Sequence, residues 1–388
     1  MQDPNSKQSR PLSVGMMTFH WAHNYGAILQ TYALYHYLNS ALRLDARLID
    51  FTTNRQEIIN RIQPKIRHGM QFPKSVGLFL FTLLHYRPLK RRQSRFELFL
   101  RDCFTSTKRY RCLDDLNSDF PTFDVTITGS DQVFNYRILP EKELLAYCLA
   151  PFPSGTTRKI AFAPSFGNDY IPAEVQNRME GYLKDFNHLS ARENEGALIL
   201  EAMTGKHVRT LLDPVFLLSA GAWKTISRPV EKIPSAYILC YALNGRHSLG
   251  ALAAKLKTLT GLPIVLVTAN VRNGIKADRI VYDAGPREFL WLLENARHVV
   301  TDSFHGTAFA TLFEKDFFAH IVTQQSAQRI VGLLKRFGIE NRLAQRPEDI
   351  TLANLSLDYS CARQNLAKGR DVSISFLQEA ITQHHPMI

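Results

Sequence analysis

Cysteines, long apolar runs and an apolar N-terminal segment are scarce or missing in this sequence. The five cysteines lie far apart, without a CxxC pair or a metal-ligand spacing. An odd number without a disulfide framework is typical of a reducing compartment. No apolar run approaches the roughly 18 residues of a membrane span, and the polar start MQDPNSKQSRPLS lacks a signal-peptide core. We therefore expect a cytoplasmic protein without a metal site or a transmembrane helix.

The chain has the composition of a soluble globular protein, but its charge is concentrated in one segment. Hydrophobic residues make up 45% and charged residues 21% of the 388 positions, enough for a full core in one large domain or two ordinary ones. The formal net charge is +12, and residues 55–111 hold 14 lysines and arginines against three acidic residues. Because the excess is local, it indicates one binding face.

The basic segment 55–111 contains a short apolar patch, residues 76–84, that cannot span a bilayer. Basic residues flank the patch on both sides, from Lys74 to Arg95. This combination is typical of an element lying on anionic lipid, which would place the protein peripherally on the inner face of the plasma membrane. A core helix beneath a basic surface is the alternative. Nucleic acid fits less well, because no recognition motif accompanies the charge.

Apolar runs suited to buried strands alternate with helical periodicity along most of the chain. The pattern occurs twice, on either side of a Pro-bearing stretch near 219–235. It predicts an α/β fold of two Rossmann-like domains that face a cleft, the first over 11–218 with the basic insertion and the second over 233–345. Residues 346–388 are expected to form a tail. Its last helix, near 373–383, is a candidate for crossing back to the first domain. Ligands of such sheets lie at the carboxyl ends of the strands.

A polar and aromatic run follows the first predicted strand, 13–19. It contains His20, His23, Asn24, Tyr25 and Gly26. The turn residues and the predicted helix 27–41 behind them would offer free backbone N–H groups to an anion or a sugar hydroxyl. A turn with structural aromatic residues is the equally open alternative.

Small polar residues also follow the predicted strand 125–129, where Ser130, Asp131 and Gln132 occur in sequence. They suit either a helix cap or hydrogen bonds to a sugar.

A histidine, His305, stands between the predicted strand 298–301 and a helix predicted over 307–313. Histidine titrates near neutrality and suits general acid–base work at the mouth of a cleft, and the neighbouring glycine allows close approach of a ligand. The run that surrounds it is Asp302, Ser303, Phe304, His305, Gly306 and Thr307.

Two arginines are candidates for binding an anionic group. Arg192 ends the predicted strand 189–192 and could grip a carboxylate or phosphate through its guanidinium fork. A salt bridge to Glu193 or Glu195 is the alternative. Arg329 is predicted in the first turn of a helix over 327–337, where the helix dipole does not favour a cation. This unfavourable placement is a weak indication that Arg329 binds a ligand.

Five runs, taken in order, resemble the polysaccharide pyruvyl transferase family. Their order and spacing cover about residues 12–345. The runs are HWAHNYGAILQTYAL (20–34), FDVTITGSDQVFN (123–135), LSARENEGALIL (189–200), LLDPVFLL (211–218) and GPREFLWLLENARHVVTDSFHGTAFATLFEKDFF (285–318).

The resemblance implies a fold similar to GT-B glycosyltransferases, phosphoenolpyruvate as the donor, and a ketal-pyruvylated sugar as the product. The acceptor is expected to be a lipid-linked oligosaccharide precursor of a capsule or exopolysaccharide. No metal and no organic cofactor are implied. By resemblance, His305 matches the catalytic histidine, Arg192 the arginine that holds the donor carboxylate, and Arg329 a later basic residue on the donor side.

The sequence departs from the family pattern just before the histidine. Several branches carry Arg-Leu-His there, with the arginine contacting the donor, whereas this chain has Ser303, Phe304 and His305. The donor phosphate must then be held by other groups, such as Arg329, the helix start at Gly306 and Thr307, or the loop after the first strand.

The sequence leads to a mechanistic hypothesis in which His305 is the general acid. Arg192 and Arg329 would neutralise the donor, with Ser303, Gly306 and Thr307 nearby, and Asp131 or Asp302 would deprotonate or orient an acceptor hydroxyl. The acceptor itself is expected at His20, His23, Asn24, Tyr25, Gly26, Ser130 and Gln132. Two alternatives remain: a sugar-nucleotide glycosyltransferase of the same shape, and a non-catalytic member of a membrane assembly complex.

Overall fold

The computed structural model describes residues 10–62, 79–243, 247–268 and 274–382, without the side chains of 324–326. Part of the predicted apolar patch, residues 76–78, lies outside the described residues, as do Lys74 and the end of the predicted last helix at residue 383.

The first domain is built on a sheet of six parallel strands in the order β2-β1-β3-β4-β5-β6. The inner strands are buried runs such as VTIT in β3, as expected of a parallel sheet covered on both faces. The carboxyl ends of these strands share one edge of the sheet. The strands are β1 Ser13–Met17, β2 Asp45–Leu48, β3 Val125–Thr128, β4 Arg158–Ala161, β5 His188–Ala191 and β6 Arg209–Thr210.

The second domain is built on a sheet of five parallel strands in the order β11-β10-β7-β8-β9. Two of them, ILCY and IVLV, are buried at every position. The strands are β7 Ile238–Tyr241, β8 Ile264–Val267, β9 Arg279–Val281, β10 His298–Thr301 and β11 Asp316–Ala319. The prediction of an α/β fold with two Rossmann-like domains is confirmed.

Thirteen helices of the described residues connect and cover the sheets. In chain order they are α1 Tyr25–His36, α2 Asn54–Asn60, α3 Tyr86–Cys103, α4 Leu113–Ser118, α5 Glu141–Tyr147, α6 Ala173–Lys184, α7 Asn194–Thr204, α8 Ala220–Ile226, α9 His247–Thr260, α10 Pro286–Asn295, α11 Phe304–Leu312, α12 Gln324–Phe337 and α13 Ser360–Thr382. A further helical stretch covers 79–84. None of the described helices is long and apolar enough to cross a membrane.

Two helices begin earlier than the sequence pattern predicts. α11 starts at Phe304 because Ser303 caps it, its hydroxyl accepting a hydrogen bond from the Gly306 N–H. His305 therefore lies in the first turn of a helix and not in the loop before it. α12 starts at Gln324, so that Arg329 stands in its second turn and the prediction of a first-turn position is wrong.

The two domains share an apolar core. The α1 face packs on α10 and α11, and Tyr25 stacks on Phe289 with ring centroids 4.3 Å apart. The Tyr25 hydroxyl also donates a hydrogen bond to the carbonyl of Ala284 in the second domain. At the chain end, α13 returns to the first domain, where the buried Phe376 packs beneath the first sheet.

The basic segment divides between inner and outer surfaces. Along α3, Arg92 donates a hydrogen bond to the carbonyl of His23, and Arg95 pairs with Asp283 and Glu288 of the second domain. Arg95 thereby joins the two domains, and both arginines are partly buried. Other basic residues of α3, such as Lys90, are exposed.

Candidate active site

The carboxyl edge of the first sheet meets the start of α11. Asp131 follows β3, Arg192 follows β5 and Asp213 follows β6, while α11 brings His305 from the second domain. With Arg329 of α12, these residues form what we call the interdomain cluster. Four of them (Asp131, Arg192, Asp213 and His305) are less than 9% exposed. The cluster thus assembles charged groups from both domains in a nearly dry environment.

Asp213 joins the histidine to the arginine. Its Oδ2 lies 3.3 Å from Nε2 of His305 and 2.9 Å from Nη1 of Arg192, and its side chain is fully buried. Burial alone would raise the pKa of this carboxyl, but the charges of His305 and Arg192 lower the pKa of Asp213 to about 2. Nε2 lies within ion-pair distance of the carboxylate, but it has no well-aligned hydrogen bond among the described residues.

Arg192 is held by two carboxylates and keeps one nitrogen unused. Nε donates to Glu193 at 2.8 Å and Nη1 to Asp213 at 2.9 Å. Its guanidinium also lies 4.3 Å from the centre of the Phe304 ring. Although burial acts in the opposite direction, the neighbouring carboxylates raise the pKa of Arg192, so it stays charged. Within the described part of the chain, the buried Nη2 has no hydrogen-bond partner.

Arg329 lies close to Arg192 in a tight environment. Burial and the like charge of Arg192 lower the pKa of Arg329. It lines a pocket of about 10 Å³ together with Glu193, Gly167 and Gln328, which is room for about one water molecule. A ligand larger than a water molecule therefore enters only if the side chains that line this pocket move.

Asp131 occupies a strained position at the same edge. Its φ is +70°, in the left-handed region that a non-glycine residue rarely adopts. Oδ1 accepts a hydrogen bond from the N–H of Gln132, and the charge of Asp131 acts on both Arg192 and Arg329. Strain of this kind is often retained where a side chain must point at a ligand.

The first turn of α1 lies against the histidine. A Cβ at Gly26 would lie 2.0 Å from Nδ1 of His305, so only glycine allows this approach. Asn24 caps α1, and its Oδ1 accepts hydrogen bonds from the N–H groups of Gly26 and Ala27. The first turn of α1 is therefore partly occupied by its own cap, and Tyr25 is engaged between the domains as described above.

Several candidates around α11 are engaged within the protein. Ser303 is the helix cap, and Thr307 donates back to the Ser303 carbonyl. Gly306 lies against Thr301 and Tyr241, where a Cβ would be 2.4 Å from Oγ1 of Thr301. Oδ1 of Asp302 accepts a hydrogen bond from the N–H of Leu243 at 2.7 Å. These residues shape the turn that presents His305, and their contact with a donor remains a prediction.

Two further candidates on the first domain, Ser130 and Gln132, form hydrogen bonds within the protein. The Ser130 hydroxyl lies beneath Asp213, donating to the Ala163 carbonyl at 2.7 Å. The side-chain oxygen of Gln132 accepts a hydrogen bond from Asn135.

His20 and His23 face the opposite side of the loop after β1, away from the interdomain cluster. Both ring nitrogens of His20 have partners, at Thr18 and Asp50. Burial and the charges of Arg92 and Lys90 lower the pKa of His23 to about 4.

Sequence reasoning missed Asp213 and Glu193 as members of the site. The available signal was weak: Asp213 is an acid inside the otherwise apolar run LLDPVFLL, and Glu193 was considered only as a salt-bridge partner of Arg192. No cluster of His, Cys, Asp and Glu among the described residues is arranged to hold a metal ion.

Known structures of similar shape are GT-B glycosyltransferases and UDP-GlcNAc 2-epimerases. The S. aureus MnaA structure with UDP is 12% identical, with a TM-score of 0.50, over 97% of this chain and 99% of that one. Arabidopsis thaliana UGT89C1, solved with UDP-L-rhamnose, is 13% identical with a TM-score of 0.50 over 96% and 99% of the two chains. At these identities the similarity establishes the GT-B-like fold alone.

Sequence comparison adds a family. The profile of the family described as polysaccharide pyruvyl transferase matches residues 24–321. No curated protein matches the sequence. The matched range includes Arg192, Asp213 and His305.

Proposed function

Because the chain belongs to the polysaccharide pyruvyl transferase family, we propose that it transfers pyruvate from phosphoenolpyruvate to a hexose and forms a ketal. Family membership supports a transferase of polysaccharide pyruvylation. The donor and the ketal product are our proposal. The observation that carries it is the interdomain cluster, where a buried histidine faces a carboxylate and two neighbouring arginines.

The donor is proposed to lie between Arg192 and Arg329, which requires the side chains that line the small pocket at Arg329 to move on binding. Nη2 of Arg192 is buried without a partner, and an anion there would satisfy it. Burial and Arg192 lower the pKa of Arg329, while Glu193 and Asp131 act in the opposite direction, and a further negative charge from the donor would favour its cationic form. Because Ser303 caps its own helix, these two arginines are our candidates for the carboxylate and phosphate.

His305 is proposed as the general acid. One acceptor hydroxyl adds to C2 of the donor while His305 delivers a proton to C3, which becomes the methyl group. A second hydroxyl of the same sugar then displaces phosphate from C2 and closes the ketal, and its proton leaves with the phosphate. Asp213 keeps a negative charge against Nε2, the nitrogen that would carry the proton. We assign the acceptor proton to Asp131, since Asp302 is engaged at Leu243.

A lipid-linked acceptor would bring the enzyme to the inner face of the plasma membrane, and an exposed apolar stretch supports that contact. Leu80, Leu83 and Leu84 are 51%, 56% and 79% exposed. Exposed Arg87 and Lys90 follow on α3. Apolar side chains beside cations suit an anionic lipid surface. Replacing Leu83 and Leu84 by glutamate should abolish sedimentation with vesicles containing phosphatidylglycerol, and unchanged sedimentation would contradict the contact.

The donor is tested by titration calorimetry and phosphate release. We expect phosphoenolpyruvate to bind with an affinity that Arg192→Ala weakens, and phosphate release to stop in His305→Ala. The matched control is His298→Asn, a buried histidine at the opposite end of β10. Binding of a UDP-sugar in place of phosphoenolpyruvate would favour the sugar-nucleotide alternative, and binding of neither would favour a non-catalytic assembly role.

A further inference from the structure

A second cleft lies on the first domain, beside the loop that connects β1 to α1. Its volume is about 540 Å³, within the range of small-molecule sites. Its walls come from the loop after β1, the segment after β2, and helices α2 and α3. His23 lines the cleft, and three residues later Gly26 contacts His305. The end of this loop and the first turn of α1 therefore connect the two sites.

Among the described residues, the positive and negative side chains that line this cleft are equal in number. Three carboxylates, those of Asp50, Glu57 and Glu97, face three guanidiniums, those of Arg61, Arg101 and Arg109. Arg109 pairs with Asp50 at 3.0 Å and with Glu57 at 2.9 Å. The cleft is thus less basic than the segment 55–111 as a whole, which supplies most of its lining. A ligand with a net negative charge would gain little there, and a neutral polar ligand is favoured.

The remaining walls combine aromatic rings with polar side chains. The Trp21 indole is fixed by its N–H, which donates to the Tyr147 hydroxyl at 3.1 Å, and Phe104 contributes a second ring. Both rings are partly exposed. Sugar hydroxyls donate and accept hydrogen bonds, so they can use carboxylates and guanidiniums together, while the apolar face of a sugar ring packs on an aromatic ring.

We infer that this cleft binds a neutral saccharide unit of the acceptor, adjacent to the sugar that reacts at His305. The inference rests on the proposed function for the identity of the acceptor. The cleft would make the enzyme selective for oligosaccharides over single sugars, because only a longer acceptor reaches both sites. Gln93 and Arg101 on α3, the latter with its side chain 73% exposed, would recognise it with Trp21.

Binding is tested without the donor, so that it does not depend on pyruvyl transfer. The full-length protein is applied to a glycan microarray of neutral and phosphorylated di- to tetrasaccharides. We expect binding to neutral glycans that falls at least tenfold in the Gln93→Ala/Arg101→Ala double variant. Lys142→Ala, an exposed lysine outside the cleft, is the control. Binding of no glycan, or only of phosphorylated ones, would overturn the inference.

Two further measurements distinguish saccharide binding at the cleft from a general loss of folding and from the proposed reaction. Saccharide binding should change the fluorescence of Trp21, and Trp21→Phe should remove the change. In turnover assays, the double variant should lower the ratio of kcat/KM for an oligosaccharide over that for a single-sugar glycoside about tenfold. An unchanged ratio would overturn the inference. If no sugar is pyruvylated although neutral glycans bind, the proposed function fails and the saccharide site stands.

Discussion

Replacing Asp213 by asparagine removes one negative charge from the centre of the interdomain cluster. The pKa of Asp213 falls from its ordinary 3.8 to about 2. At about 1.4 kcal/mol per pKa unit, the ionised side chain contributes about 2–3 kcal/mol to folding. An asparagine of the same shape loses this contribution and leaves Arg192 with Glu193 as its remaining partner. We expect the free energy of unfolding to fall by that amount.

The same change should affect catalysis more than donor binding. Without the carboxylate 3.3 Å away, His305 loses the negative charge that orients its ring and supports its proton. General acid catalysis contributes on the order of 10²- to 10⁴-fold, so we expect kcat to fall within that range. KM for phosphoenolpyruvate should change less, because Glu193 still holds Arg192.

The assays are urea unfolding and steady-state phosphate release with a sugar acceptor. Asp124→Asn is the matched control, since Asp124 also has a lowered pKa and accepts hydrogen bonds, but precedes β3 and stands at the opposite edge of the sheet. It should lose stability with little loss of kcat. If Asp213→Asn keeps kcat within a factor of about three, Asp213 does not support His305 and our reasoning is wrong.

Three other changes test separate contacts. Gly26→Ala places a Cβ 2.0 Å from Nδ1 of His305 and should lower kcat about a hundredfold with an unchanged circular dichroism spectrum; normal turnover would refute the contact. The pKa of His23 is about 4 in the folded protein, so that between pH 6.5 and 4 this histidine is protonated mainly in the unfolded chain. The free energy of unfolding should therefore rise from pH 4 to 6.5, and His23→Phe should reduce this pH dependence in urea titrations. Arg95→Ala removes the contacts of α3 with Asp283 and should lower the free energy of unfolding by about 1–3 kcal/mol. An unchanged free energy of unfolding would contradict its bridging role.

The sequence was sufficient for the fold because parallel strands covered on both faces carry continuous apolar runs. Such runs as IVLV and HVVT predict strands without knowledge of their neighbours. Helix starts were harder. The run SFHGT has no strong helix formers, so that the start of α11 depends on one cap, Ser303, which the pattern does not distinguish from a turn residue.

The interdomain cluster could be predicted only in part. His305 and Arg192 follow the carboxyl ends of β10 and β5, where ligands of such sheets are expected. Asp213 follows a strand of two residues, β6, and its partners are 21 and 92 positions away in the chain, which makes its role a product of domain packing. The same holds for α3. Its sequence predicts a basic surface, whereas Arg95 of this helix contacts Asp283 and Glu288 of the second domain.

The most direct test is mass spectrometry of a lipid-linked oligosaccharide after incubation with isotopically labelled phosphoenolpyruvate. The family assignment and the interdomain cluster lead us to expect a labelled pyruvate ketal on one sugar and one phosphate released per ketal. Both products should be absent with His305→Ala and present with His298→Asn. A product that carries a sugar from a UDP-sugar, with the labelled donor unconsumed, would contradict the account.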